Sequence, residues 1–90
     1  MLDTELKQII EITNKATKAP WTSYIEGRDH TSGSNFIMTG VEEDRDYDID
    51  VDRLREEDQD FIAMARNTLP QLVDEILRLQ KILNDNSIPF

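Results

Sequence analysis

The 90-residue chain contains no cysteine and a single histidine, His30. Disulfides, thiolate metal sites and cysteine nucleophiles are therefore excluded, and only one imidazole is available as a base or ligand. Apolar runs stay far below the roughly 18 residues of a membrane span, so no membrane partner is expected. Met1 to Pro20 lacks the basic start and apolar middle of a secretory signal, which makes the cytoplasm the expected location. Positive charge is also scarce: 10 lysines and arginines stand against 19 acids, a net charge of −9. A chain of this size supports one domain, residues 1–90, with one modest core.

The acidity is local. Residues 42–60 hold eleven acids against Arg45, Arg53 and Arg55, a net of −8, while the rest of the chain is nearly balanced. That stretch repels a phosphate backbone, and no basic stripe elsewhere compensates, so direct nucleic-acid binding is not expected.

Hydrophobic spacing yields an α+β chain. Leu6, Ile9, Ile10, Thr13, Ala16 and Thr17 recur at helical intervals, predicting an amphipathic helix from Asp3 to Lys18 that Pro20 stops. Trp21 to Gly27 alternates, with Trp21, Ser23 and Ile25 on one side. Asn35 to Thr39 reads as a second strand ended by Gly40, and Tyr47-Asp48-Ile49-Asp50-Val51 alternates as a third with one carboxylate face. The expected sheet is a three-stranded antiparallel meander.

Helix returns near Arg55, with Phe61, Ile62, Met64, Ala65 and Leu69 on one side. Thr68-Leu69-Pro70-Gln71 carries the marks of a second helix start, so the C-terminal helical segment is expected to kink or restart near Thr68. Leu69, Leu72, Ile76, Leu79 and Leu83 then follow at spacings of three and four. So small a sheet gives little cover to such broad apolar arcs. A homo-oligomer built on those five residues is therefore expected, with Ile88-Pro89-Phe90 as an accessory contact.

Chemistry is sparse. Asp46, Asp48, Asp50 and Glu57 have the carboxylate spacing of a calcium loop, but Val51 stands where its turn needs glycine and Arg53 where an apolar residue belongs. No metal and no cofactor are expected. Ser23, Ser32, Ser34 and Ser87 lie in no nucleophile motif, so no catalytic residue is assigned and the chain is expected not to be an enzyme. The polar loop Gly27 to Asn35 instead suggests a binding site. Arg28, His30, Ser32, Ser34 and Asn35, with Trp21 and Tyr24 as stacking faces, are the candidate contacts for a small polar or nucleotide-derived ligand. The alternatives are an acidic surface that mimics nucleic acid toward a basic host protein, and a structural accessory without a ligand.

Two segments carry a family likeness. Ala16-Thr17-Lys18-Ala19-Pro20-Trp21 and the run Asp60-Phe61-Ile62-Ala63-Met64-Ala65-Arg66-Asn67, continuing through Pro70 to Ile76, together resemble small phage and prophage proteins of the Ead-like kind. Those proteins read ATPGPW, a variable middle, then DFIAxAR before a leucine-rich helix; here Lys18-Ala19 replaces their proline and glycine. The motifs resemble architecture: helix stop, first strand and helix restart. The resemblance implies a phage accessory protein that acts by binding, in the host cytoplasm, and it assigns no catalytic residue.

Overall fold

The computed structural model describes residues 3–31 and 33–86. Its order is α1 (Asp3–Lys15), β1 (Trp21–Tyr24), β2 (Phe36–Thr39), a short 3-10 turn (Glu42–Asp44), β3 (Asp48–Asp50) and α2 (Glu56–Asp85). The strands form one antiparallel sheet in the order β1-β2-β3, which is the expected meander.

Helix α1 has Asp3 and Glu5 in its first turn and Lys15 in its last, both favourable to the helix dipole, and it buries Leu6. It ends three residues before the expected Lys18. Beyond it the Thr17 carbonyl accepts the Trp21 indole N–H at 3.1 Å and the Arg66 Nε–H at 3.0 Å. The bend that Pro20 enforces is thereby fastened to α2.

β1 is likewise shorter than its alternation suggests. The Ile25 N–H, which would extend the strand, is taken by the Asp29 carboxylate at 2.8 Å. The alternation itself holds: Ile25 is 1% exposed, and across the sheet Trp21 pairs with Thr39, Ser23 with Ile37, and Ile37 with Ile49. These residues share the inner face, where Ile37 and Thr39 are buried. Gly40 ends β2 at φ +77°, and a Cβ there would overlap the Asp44 carbonyl oxygen, so the tight turn into the 3-10 segment requires glycine.

Helix α2 packs its N-terminal half across β1 and its C-terminal half against α1, so the sheet and α1 lie side by side on one face of the long helix. At 30 residues α2 is ~45 Å long and sets the long dimension of a body measuring 56 × 28 × 19 Å. The discontinuity expected near Thr68 does not break it: Pro70 lies inside one continuous helix. Proline removes a backbone donor there and its ring crowds the Arg66 carbonyl one turn back, which bends a helix without ending it.

Which side of α2 is buried also differs from the reading of its apolar residues. Gln59, Ala63 and Val73 are the buried positions, with Arg66, Asn67 and Pro70 partly covered between them. Phe61, Ile62, Met64 and Leu69 stay 62, 37, 54 and 38% exposed. The sheet receives the side of the helix that carries hydrogen-bonding groups and small Ala63, because strand ends must be satisfied and the backbones must approach closely.

Candidate functional site

The candidate residues of the loop divide between two sides of the sheet. Register places Thr22, Tyr24, Phe36, Met38, Asp48 and Asp50 together on the face turned away from α2. There Tyr24 and Phe36 stack in parallel, ring centroids 5.1 Å apart and 14° between planes. His30 folds down against both, edge-on at 6.1 Å from Tyr24 and 5.0 Å from Phe36, with Nδ1 3.6 Å from a Glu26 oxygen. The short turn holds it in place: the Gly27 N–H donates to the His30 carbonyl at 2.8 Å, and Glu26 and His30 form an isolated bridge.

Beside this aromatic group lies a shallow depression of about 430 Å³ lined by Ser34, Phe36, Arg45, Asp48 and Asp50. Arg45 is held by Asp48, with Nη2 at 3.0 and 2.7 Å from its two oxygens. Asp50 receives only the Asp52 backbone N–H at 3.2 Å among the described hydrogen bonds. Asp48 and Asp50 are both exposed. The face therefore combines a π surface with an excess of carboxylate.

Trp21 and Arg28 stand elsewhere. Trp21 lies on the inner face with the Arg66 guanidinium 5.9 Å above its ring, so its stacking surface is used within the fold. Arg28 is closed by an internal clamp: Nη1 and Nη2 donate to Asp60 at 2.8 and 3.0 Å, and Nε and Nη2 donate to Asp29 at 3.0 and 2.8 Å. Its guanidinium holds the Asp60 carboxyl at about 2 and lowers that of Asp29, while the two acids raise the affinity of Arg28 for its proton. An incoming anion would have to displace two carboxylates to reach this fork.

Asn35 is also committed to the fold. Its Oδ1 accepts the Glu26 N–H at 2.8 Å, and its own N–H donates to Asp52 at 2.8 Å, which ties the loop to the segment that follows β3. The Gly33 N–H donates to a Glu26 oxygen at 2.7 Å. Ser32 falls outside the described residues. Of the seven candidates, the structure thus gathers Tyr24, His30 and Ser34 on the outer face, turns Trp21 and Arg28 toward α2, and uses Asn35 as a loop brace.

Asp46, Asp48 and Asp50 lie on extended or irregular chain with no coiled calcium loop around them. Among the described residues no group of three or more metal-ligating side chains converges, and no helix is long and apolar enough to cross a membrane. A second cleft, of about 240 Å³, separates α1 from α2 and is lined by Ile10, Thr13, Pro70, Val73, Asp74 and Leu77. Of the seam residues, Leu69, Leu72 and Leu79 remain 38, 54 and 40% exposed, with Ile76 and Leu83 partly covered, while the tail from Ser87 to Phe90 lies outside the described residues.

Sequence reasoning missed three polar residues of α2 that organise the surroundings of these surfaces. They are Gln59, which donates to the Tyr24 and Phe36 carbonyls at 3.1 and 2.9 Å, Asp60 in the Arg28 clamp, and Asn67 on the edge of β1. The available signal was their spacing with Ala63, Arg66 and Val73, a stripe of period 3.6 distinct from the leucine stripe. No protein-family model, curated protein or solved structure matches this chain.

Proposed function

We propose that this chain is a non-catalytic binding protein of the phage-accessory kind it resembles, acting in a host cytoplasm, and that its outer sheet face takes a cationic segment of a partner protein. The observation that carries this reading is the Tyr24–Phe36 stack beside Asp50, which no cation neutralises among the described residues, and Asp48, which shares its charge with Arg45, while Arg28 is clamped by Asp29 and Asp60. A guanidinium stacks on aromatic faces and pairs with carboxylates, so an arginine side chain matches both halves of that surface. A nucleotide matches the rings, but the arginine that lines the depression, Arg45, is already held by Asp48, so phosphates would meet the uncompensated carboxylate of Asp50. The acidic-surface reading is thus favoured over capture of a small anionic ligand.

Calorimetry with a synthetic arginine-rich peptide and, separately, with a nucleotide panel tests this. The expected result is peptide binding that weakens as salt rises and falls at least about tenfold in the Asp48→Lys, Asp50→Lys double variant. Nucleotide binding without peptide binding would return the function to ligand capture. Peptide affinity unchanged by the charge reversal would remove the outer face from the account.

A further inference from the structure

We infer that α2 pairs with α2 of a second copy, in antiparallel orientation, through the stripe that the sheet leaves uncovered; this stands independently of the outer sheet face. Ala65, Leu69, Leu72, Ile76, Leu79 and Leu83 are separated by four, three, four, three and four residues, the alternation of a coiled-coil seam. At 100° per residue this stripe is centred roughly 120° from the stripe of Gln59, Ala63 and Val73 that faces the sheet and α1. One helix thus carries two working sides, and only the first is covered by its own chain.

The occupant follows from pattern, area and charge. A seam that repeats every 3.5 residues over about three heptads fits another seam of the same repeat, and a second copy supplies one. Phe61, Ile62, Leu69, Leu72, Leu79 and Ile82 are 37 to 62% exposed. That amounts to ~500 Å² of apolar surface per copy, which with a polar rim approaches the ~800 Å² per partner of a standard interface.

Orientation is set by what flanks the seam. On the side covered by the sheet and α1, Arg66 is bound to the Thr17 carbonyl and Val73 is buried, so a partner must approach from the side of Phe61 and Ile82. Antiparallel pairing centred between Leu69 and Leu72 sets Leu69 of each copy against Leu72 of the other, Ile62 against Leu79, and small Ala65 against Ile76. The same register brings exposed Phe61 beside exposed Ile82. Parallel pairing would instead place both acidic stretches, net −8 each over residues 42–60, at one end of the assembly. Antiparallel pairing separates the acidic N-terminal ends of the two α2 helices by ~40 Å, several screening lengths at physiological salt.

Sedimentation equilibrium on the full chain should give a particle of twice 10.5 kDa. Leu72→Glu should weaken association at least about 100-fold, since two charges enter one small apolar interface. Leu72 is 54% exposed in the single chain, so the variant keeps its fold, which circular dichroism verifies. Because the chain lacks cysteine, orientation is read from oxidation of Phe61→Cys and Ile82→Cys chains. A disulfide that forms only in the mixture of the two supports antiparallel pairing. Self-linking of each variant alone would overturn the orientation, and a stable 10.5 kDa particle at high concentration would overturn the pairing itself.

Discussion

The side-chain amide of Asn67 pairs in both directions with the backbone of Trp21: Oδ1 accepts the Trp21 N–H at 2.7 Å and Nδ2 donates to the Trp21 carbonyl at 2.7 Å. β1 is an edge strand of the meander, and such an edge ordinarily presents unpaired donors and acceptors. Here one asparagine on α2 substitutes for a neighbouring strand at that residue, which fixes the helix against the sheet. Asn67→Ala leaves both Trp21 groups unmet. It should cost about 2 kcal/mol, read by urea denaturation, and lower the melting temperature by roughly 8–16 °C for a domain of this size.

Gln59 allows a sharper test because its burial is complete, at 0% exposure. Its Nε2 donates to carbonyls of both β1 and β2, so the group there must be a donor. Gln59→Leu removes the donor and should destabilise by about 2 kcal/mol at any pH. Gln59→Glu can donate only when protonated, and burial among carbonyl oxygens raises its folded pKa. Its stability is then fully present below the unfolded value near pH 4.3 and is lost as pH rises through the raised folded value. Denaturation at pH 4 and pH 7 should show Gln59→Glu recovering relative to Gln59→Leu at the lower pH.

Acid should loosen the Arg28 clamp in a defined window. Arg28 holds the Asp60 carboxyl at about 2, below its ordinary value of 3.8. A carboxyl depressed in the folded state adds stability above the unfolded pKa and loses it as pH falls toward the folded one, here from about 4 to about 2. The Arg28 and Asp60 side chains are 45 and 43% exposed, so solvent screening holds the contribution to about 1 kcal/mol or less. Asp60→Asn should therefore be slightly less stable than the parent at pH 7 and equal to it below pH 2, measured by denaturant midpoints.

The sheet was legible because its strands alternate: Tyr47 to Val51 contains β3, and Trp21, Ser23 and Ile25 do share a side. Element ends were less so, since they depend on side chains distant in sequence. The Thr17 carbonyl is claimed by Arg66, 49 residues away, and β1 stops where the Asp29 carboxylate takes the Ile25 amide. Pro70 reads locally as a start signal, yet it lies inside one helix that runs from Glu56 to Asp85. The leucine stripe was readable as apolar, whereas the turn of α2 toward the sheet was not, because that side is marked by Gln59 and Asn67. In the loop, arginine, asparagine and glycine carry binding chemistry in the sequence, but the structure commits Arg28, Asn35 and Gly33 to internal hydrogen bonds. Composition cannot distinguish a donor offered to a ligand from one already satisfied by the fold.

The most direct test of the binding surface is residue-resolved chemical-shift mapping during titration with an arginine-rich peptide. Shifts should concentrate on Tyr24, His30, Phe36, Met38, Asp48 and Asp50, with Trp21 and Arg28 unmoved. Shifts centred on Trp21 and Arg28, or spread evenly over the acidic residues from Glu42 to Asp60 with the aromatic group silent, would contradict the assignment of the outer sheet face as the binding surface.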